Sequence, residues 1–373
     1  MNQDIFSTIL SALHTWRTYL ATLVLAAVAA YMLTPIARRL ALVLGAVDQP
    51  SPRKVHKQPM PRLGGLAVFG GFCVPWSCFY LLDNRVTATF QNYEKLFLAL
   101  MLGAGAMLAL GFLDDLKGVS VAKKFAVQIV VALGLYAGGY RITELSIPFG
   151  GHIELGWLAL PASVLWIVGV TNAINLLDGI DGLATGVTAC IALALALINM
   201  LAGSIMVALL TLCLAGACCG FLPHNFSPAK IFLGDSGSLC IGIILACIGV
   251  LSLFKAVTAT FLAVPLILFG LPLFDTASVV LGRALRGAPI FKADKTHVHH
   301  RLLALGLTQK QAAMFLYVVS AALGLFAITL GLEETPEAVL VAGALIAVIA
   351  GITWRAWRRR LNNGTPPPNP PAA

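Results

Sequence analysis

The chain has 373 residues, of which 59% are hydrophobic and only 11% are charged. Ordinary soluble domains carry about 25% charged residues, which they need to cover their surface with polar groups. This composition excludes a string of soluble domains and a largely disordered chain. It predicts an all-α polytopic membrane protein.

Charge-free apolar stretches divide the chain into crossings, because a helix needs about 20 mostly apolar residues to span a bilayer. The stretch 182–229 is long enough for two helices, and its natural break is the sequence Leu201-Ala202-Gly203-Ser204. About eleven transmembrane helices are therefore predicted. In chain order the stretches run over 18–37, 63–82, 96–113, 125–140, 155–177, 182–229, 236–254, 256–274, 311–332 and 338–354.

The distribution of basic residues predicts the orientation. If the N-terminus lies outside and the C-terminus is cytoplasmic, the inner loops hold 20 of the 25 Lys and Arg residues, as the positive-inside rule requires. The same bias explains the net charge of +9 without any nucleic-acid partner. Residues 1–360 are predicted to form one integral membrane domain, and the Pro-rich tail 361–373 is predicted to be disordered.

Aspartates cluster at the predicted inner helix ends. The first group is the pair Asp114-Asp115, followed by Lys117. Adjacent carboxylates repel each other, so keeping both ionised favours a nearby cation, and a shared proton is the alternative. Either state suits metal binding or base catalysis. A polar helix end in contact with water is the simpler alternative for this pair.

The second group lies in the segment Asn172 to Leu183, which is rich in Asn, Asp and Gly. Asn175, Asp178 and Asp181 are spaced three residues apart, which on a helix would place them along one stripe. Oxygen ligands of this kind suit Mg²⁺, which keeps several waters and shares its coordination shell with substrate phosphates. A polar turn between two membrane helices is the alternative.

The third group is Asp235 in the sequence Gly234-Asp235-Ser236-Gly237-Ser238, at the start of an apolar stretch. Small residues and free backbone N–H groups at a helix N-terminus form an anion site, against which Asp235 could hold a metal. An ordinary helix cap has the same composition, so this alternative stays open.

Two basic loops complete the polar inner face. The loop 283–310 contains three histidines and six Lys or Arg residues, which offer cationic donors to a diphosphate. A zinc site and a solvated basic loop are the alternatives. The loop 48–65 is also basic, and the positive-inside rule alone could explain it. The candidate phosphate-binding residues of the first loop are His297, His299, His300 and Arg301.

Together these motifs resemble the polyprenyl-phosphate N-acetylhexosamine-1-phosphate transferase family across nearly the whole chain. The motifs occur in the family's order on the predicted inner face. They are P-x-R-K-x-H-x-x-P-x-P-R-x-G-G up to Gly65, D-D-x-x-K from Asp114, N-A-x-N-L-L-D-G-x-D-G-L from Asn172, F-L-G-D-S-G-S from Phe232, and H-x-H-H-R-L from His297.

The resemblance implies transfer of a sugar 1-phosphate, most consistent with GlcNAc-1-phosphate, from a UDP-sugar to undecaprenyl phosphate, which releases UMP. It implies a bacterial cytoplasmic membrane enzyme whose site faces the cytoplasm, with Mg²⁺ as cofactor and Mn²⁺ as the alternative. Val298 separates the first histidine from the next two, which disfavours the peptidoglycan branch that uses UDP-MurNAc-pentapeptide without excluding it. Whether the chain forms a homodimer stays open.

The resemblance also implies roles for individual residues. The expected metal ligands are Asn175 and Asp235. The expected catalytic residues are Asp114, Asp115, Asp178 and Asp181. The expected substrate-binding residues are Lys117, Asn172, His297, His299, His300 and Arg301. A direct transfer and a two-step route through a phospho-enzyme are both compatible with these residues.

A secondary transporter is the rival from another functional class, since such proteins also have about eleven crossings. Transporters bury charges near the bilayer midplane and often consist of two related halves. Here only Asp275 interrupts a long apolar run, which extends from 256 to 282, and the two halves do not match. The resemblance implies that Asp275 faces the site, and satisfaction by helix packing is the alternative.

Overall fold

The computed structural model describes residues 2–50, 59–81, 93–146, 152–253, 263–287 and 297–331. Helices make up most of this part of the chain. The long helices are α1 (Asn2–Leu44), α2 (Gly64–Leu81), α3 (Glu94–Lys117), α4 (Val121–Gly138), α5 (Ala159–Leu177), α6 (Leu183–Leu201), α7 (Ile205–Asn225), α8 (Gly234–Leu253) and α12 (Gln309–Gly331). The shorter helices are α9 (Ala263–Leu268), α10 (Gly270–Ala284) and α11 (Val298–Ala304).

Eight helices in the described residues are long and apolar enough to cross a membrane. The all-α polytopic membrane fold is therefore confirmed, and the number eleven stays a prediction. The predicted break in the long apolar stretch is confirmed, because α6 ends at Leu201 and α7 begins at Ile205. The predicted crossing 338–354 and the tail 361–373 lie outside the described residues, and the orientation of the termini stays a prediction.

The helices differ sharply in burial, and this difference defines the centre of the bundle. In the apolar window of α8, 94% of the residues are buried, against 17% in α4. Helix α8 packs against α2, α3 and α5, while α7 packs against α1 and α6. A helix that is apolar on all sides and buried belongs to the interior, whereas α4 exposes apolar side chains, as a helix facing lipid does. The N-terminus of α8 therefore lies near the axis of the bundle, at one of its two ends.

Two short antiparallel sheets lie at opposite ends of the bundle. Strands β1 (Val47–Asp48) and β2 (Met60–Pro61) join α1 to α2, with Val47 opposite Pro61 and Asp48 opposite Met60. Strands β3 (Glu144–Ser146) and β4 (His152–Glu154) lie beyond the C-terminus of α4.

Backbone hydrogen bonds join the β2 end to the segment before α8. Gly64 N donates to Phe232 O at 3.0 Å, and Gly65 N donates to Leu233 O at 3.0 Å. In the other direction Phe232 N donates to Pro61 O at 2.8 Å. These bonds fix the entry of α2 beside the entry of α8, so two of the motifs that are distant in sequence lie side by side.

Helix α5 ends before Asp178, whereas the predicted stripe of Asn175, Asp178 and Asp181 needs a helix that continues to Asp181. The last helical residue is Leu177, and Asp178 N closes the end with a hydrogen bond to Asn175 O at 3.2 Å. The chain then turns through Gly182, whose φ of 76° is in the left-handed region, before α6 begins. The expected helical stripe is therefore wrong: Asn175 is on the helix, and Asp178 and Asp181 are on the turn.

The predicted crossing 256–274 also differs from the structure. Its described part is divided at Phe269 between α9 and α10, and α10 continues to Ala284. Pro272 follows the break, and because proline has no N–H it cannot donate to the carbonyl oxygen of Leu268, four residues earlier. Asp275 therefore lies in the second turn of α10, where its side chain faces the histidine segment.

Candidate active site

The site is built where α3 turns into α4. Helix α3 ends at Lys117, and Gly118 reverses the chain with a φ of 71° in the left-handed region. Gly118 N donates to Asp114 O at 2.9 Å, and Val119 N donates to the Asp114 carboxylate. This tight turn brings the first turn of α4 back over the last turn of α3, so Lys124 faces Asp114.

Lys124 joins two carboxylates that are distant in sequence. Its Nζ lies 2.6 Å from Asp114 Oδ2 and 2.6 Å from Asp235 Oδ2. The three side chains are partly buried, which makes such contacts stronger than those between fully exposed ions. We name this trio, Asp114, Lys124 and Asp235, the ion trio. Sequence reasoning counted Lys124 only as a charge on the inner face.

Asp115 has a different place although it is the neighbour of Asp114. Its Oδ1 accepts a hydrogen bond from Asp235 N and its Oδ2 accepts one from Ser236 N, both at 3.0 Å. These donors are unsatisfied amides in the first turn of α8, so the buried carboxylate caps this helix from outside. Successive helical residues point about 100° apart, which is why the pair diverges.

Asn175 and Asn172 point to different neighbours on α5. Asn175 Nδ2 donates to Ser238 Oγ at 2.8 Å, which leaves its carbonyl oxygen as an unused acceptor. Asn172 Nδ2 donates to Gln128 Oε1 at 2.6 Å and to Val168 O at 2.7 Å. Asn175 is thus tied to the first turn of α8 beside Asp235, while Asn172 joins α5 to α4.

The turn after α5 presents Asp178 and anchors Asp181. The Asp178 carboxylate has no hydrogen-bond or ion-pair partner among the described residues. Burial, together with the negative charges of Asp235 and Asp115, raises the pKa of Asp178 to about 8. Asp181 Oδ2 instead accepts from Ala229 N at 3.1 Å, which fixes the turn to the loop between α7 and α8.

The histidine segment lies against this same turn. His299 is fully buried, and neither of its ring nitrogens has a hydrogen-bond partner among the described residues. Burial, followed by the neighbouring His300 and His297, lowers its pKa to about 3. Its ring contacts Gly179 so closely that a Cβ atom at this position would collide with Nε2. A glycine is therefore required here, and His299 is held as the neutral imidazole.

His297 is also buried, and its Nδ1 lies 2.8 Å from Asp275 Oδ2. The rings of His297 and His299 are stacked, with centroids 5.8 Å apart, and those of His299 and His300 are 4.3 Å apart. Arg301 and Lys117 are exposed in the last turns of their helices. Of the predicted substrate-binding residues, His299 contacts the turn directly at Gly179, and His297 stacks on His299.

Comparison with known proteins places this site in a family. The model of glycosyl transferase family 4 matches residues 97–253, the part that carries Asp114, Asp115, Asp178, Asp181 and Asp235. A Bacillus subtilis (strain 168) protein, named a probable undecaprenyl-phosphate N-acetylglucosaminyl 1-phosphate transferase, is 39% identical over 300 residues, covering 80% of this chain and 81% of the relative. The chain belongs to glycosyl transferase family 4.

Other relatives in the family carry related names. The decaprenyl-phosphate N-acetylglucosaminephosphotransferase of Mycolicibacterium smegmatis is 33% identical over 370 residues, which are 92% of this chain and 89% of that protein. A phospho-N-acetylmuramoyl-pentapeptide-transferase of Clostridium perfringens (strain SM101 / Type A) is 32% identical over 279 residues, 70% of this chain and 81% of the relative. The family predicted from the five motifs is confirmed.

The donor atoms of this family 4 site fit a magnesium ion better than zinc. In the described part of the chain no three His, Cys, Asp or Glu side chains are grouped closely enough to hold a metal by themselves. Mg²⁺ does not need such a cage, because it binds through one or two carboxylates, waters and substrate phosphates. The Lys124 ammonium marks a place between Asp114 and Asp235 where positive charge is stabilised. The Asn175 carbonyl oxygen is a further donor of the right kind.

Proposed function

We propose that this chain transfers N-acetylglucosamine 1-phosphate from UDP-GlcNAc to undecaprenyl phosphate, giving the lipid diphosphate sugar and UMP. The observation that carries the proposal is the ion trio at the N-terminus of α8, inside the part of the chain matched by the family model. The Bacillus subtilis and Mycolicibacterium relatives carry names for this kind of transfer. The site would face the cytoplasm of a bacterial inner membrane, where the first step of cell-surface polysaccharide synthesis takes place.

The chemical problem is the approach of two anions, since a lipid phosphate must reach the β-phosphorus of a nucleotide diphosphate. Positive charge and oriented N–H groups reduce this repulsion. Lys124 supplies an ammonium at the junction of α3, α4 and α8. Arg62, paired with Asp48, is near enough that its charge acts on Asp178. Both cations lie at the end of the bundle that holds Asp114, Asp235 and Asn175.

A magnesium ion bound by Asp235 and Asn175 would neutralise diphosphate charge and stabilise the departing UMP. The residues of the chain set up this place. Asp115 holds the first turn of α8, which presents Asp235, and Ser238 orients Asn175 through its hydroxyl group. Lys124 keeps Asp114 and Asp235 close together before substrate arrives.

We propose a direct transfer. An oxygen of the lipid phosphate forms a bond to the β-phosphorus, the bond from that phosphorus to the bridging oxygen breaks, and UMP leaves. Asp178 is the proposed base for a singly protonated lipid phosphate, because a pKa of about 8 leaves part of its population ionised near neutrality and makes that ionised form a stronger base than an ordinary carboxylate. Asp114 would orient Lys124 toward the lipid phosphate. Asp115 has both oxygens occupied by backbone amides and would act as a support for α8.

The test is to incubate purified protein with undecaprenyl phosphate and Mg²⁺, and to measure the conversion of UDP-GlcNAc and of UDP-MurNAc-pentapeptide in parallel reactions. We expect lipid-linked GlcNAc and an equal amount of UMP from the first substrate. Turnover of the pentapeptide substrate alone would replace the proposal with the peptidoglycan reaction, which the relative from Clostridium perfringens keeps as the second candidate. No turnover of either substrate, in protein that is folded, would contradict both.

A further inference from the structure

Asp275 makes two short hydrogen bonds to the start of α11. Its side chain is buried in α10 and is 5% exposed. Its Oδ2 lies 2.8 Å from His297 Nδ1, and its Oδ1 accepts a hydrogen bond from Val298 N at 2.7 Å. One carboxylate therefore satisfies an amide of the first turn of α11 and holds a histidine ring at the same time.

This arrangement determines which nitrogen of His297 is available. A carboxylate oxygen can only accept, so Nδ1 must carry the proton in this contact. Nε2 is then the nitrogen left for another partner. A ring that carries a proton on both nitrogens also donates from Nε2, and such a donor can bind a phosphate oxygen.

The histidine is connected to the turn that carries Asp178. His297 stacks on His299 with an angle of 7° between the ring planes, and His299 contacts Gly179. Asp275 thus fixes one end of a row of contacts from α10 through two imidazole rings to the turn after α5. A change in the position of His297 would reach the site through this row.

We propose that Asp275 is a positioning residue that holds His297 by Nδ1, so that Nε2 binds the diphosphate of the nucleotide sugar. The proposal rests on the proposed function for the identity of the substrate. It goes beyond that function by assigning to a buried carboxylate of α10 the task of orienting a substrate-binding ring on α11.

The variant Asp275→Asn tests this role, because an amide keeps the size of the side chain and an acceptor for Val298 N. The amide cannot accept from His297 Nδ1 and from Val298 N with the same strength as a carboxylate. We expect weaker binding of UDP, in the presence of Mg²⁺, by about 10- to 100-fold, which corresponds to the loss of one hydrogen bond to a charged group. The value of kcat/KM for UDP-GlcNAc should fall by a similar factor.

A double-mutant cycle separates positioning from a general loss of structure. The same substitution made in the His297→Gln background should change UDP binding by less than about 3-fold, because the ring that Asp275 orients is absent. Ser278→Ala is the control, since its hydroxyl group bonds to Asp275 O within α10 and does not contact His297. It should bind UDP as the unchanged protein does.

Equal losses from Asp275→Asn in both backgrounds, or no loss in either, would overturn the proposal. If Asp275→Asn does not fold, Asp275→Glu is measured in the same two backgrounds, because the longer carboxylate keeps the charge and displaces the hydrogen bonds. UDP binding also distinguishes the two proposals. Protein that binds UDP with the expected coupling but does not transfer GlcNAc would contradict the proposed function and leave the role of Asp275 standing.

Discussion

The ion trio and the histidine segment both contribute to the site, but they are held in place in different ways. Asp114, Lys124 and Asp235 belong to helices α3, α4 and α8, whose packing holds them together at one end of the bundle. The histidines belong to the short helix α11, which a carboxylate of α10 and a contact with Gly179 hold in position. The charges of the ion trio are therefore preorganised by long packed helices, while the proposed nucleotide contacts of the histidine segment depend on a few local interactions.

The largest effect is expected at the metal position of the ion trio. Asp235→Ala removes the carboxylate that we assign to Mg²⁺ and leaves Lys124 with one partner. Turnover should fall by at least about 10³-fold, since electrostatic stabilisation of the transferred phosphate is lost. Asn175→Ala should raise the Mg²⁺ concentration needed for half-maximal rate, measured by titration. Unchanged Mg²⁺ dependence in both variants would remove these residues from the metal site.

The second effect concerns Lys124, for which the chain offers a matched control. Lys124→Met keeps the length of the side chain and leaves Asp114 and Asp235 to repel each other, so kcat/KM should fall by about 10²-fold or more. Lys123→Met changes the exposed neighbouring residue and should stay within about 3-fold of the unchanged protein. Similar rates for the two variants would show that the ion trio has no part in the reaction.

Gly179→Ala tests the contact between the histidine segment and the turn after α5. The added methyl group would collide with His299, so the turn or the ring must move, at a cost of about 1 to 3 kcal/mol in the free energy of unfolding. Gly169→Ala on α5 is the control, because no heavy atom lies within 4 Å of its added Cβ position. UDP binding and thermal unfolding in detergent measure both variants. A Gly179→Ala protein with normal UDP affinity would separate His299 from the nucleotide site.

Asp115→Asn sharpens the distinction between two neighbouring aspartates. One of the two α8 amides loses its carboxylate acceptor, so the free energy of unfolding should fall by about 1 to 3 kcal/mol. Asp114→Asn should lower turnover with a smaller change in unfolding temperature, because its carboxylate contacts Lys124 in the ion trio. If Asp115→Asn unfolds at the temperature of the unchanged protein while losing all turnover, Asp115 acts in the chemistry and not as a support.

The smallest effect is a pH dependence from His299. Its pKa is lowered by burial, from about 6.5 in the unfolded chain to about 3 in the folded protein. The unfolded chain therefore binds more protons between these values, and stability falls as the pH decreases through that range. Between pH 7 and pH 5, the free energy of unfolding of His299→Gln should fall by roughly 1 to 2 kcal/mol less than that of the unchanged protein. Parallel unfolding curves for the two proteins at both pH values would mean that His299 is charged or exposed when folded.

The sequence predicted the elements that depend on local pattern. Gly203 marked the break between α6 and α7, and the aspartates lie at one end of the bundle, where α3, α5 and α8 begin or end. What it did not predict depends on contacts across the fold. Lys124 meets Asp235, which is 111 residues away, only because Gly118 reverses the chain and α8 packs on α3.

Three further details were also not evident from the sequence. The helical stripe of Asn175, Asp178 and Asp181 required α5 to continue, but the chain turns after Leu177 where glycines follow the aspartates. Asp114 and Asp115 looked equivalent as a pair. Successive side chains on a helix point in directions about 100° apart, however, so the two carboxylates reach different partners. Asp275 was found as an isolated carboxylate, and its partner became evident only from the packing of α10 beside α11.

The most direct test of the account follows the β-phosphate itself. UDP-GlcNAc labelled with ³²P at the β-position and with ³H in the sugar is incubated with purified protein, Mg²⁺ and undecaprenyl phosphate. The account predicts that both labels enter one lipid product in equal amounts, that one UMP is released for each, and that neither UMP release nor exchange of labelled UMP into UDP-GlcNAc takes place without lipid. Transfer of ³H without ³²P, or rapid UMP exchange in lipid-free protein, would contradict direct transfer of the sugar phosphate.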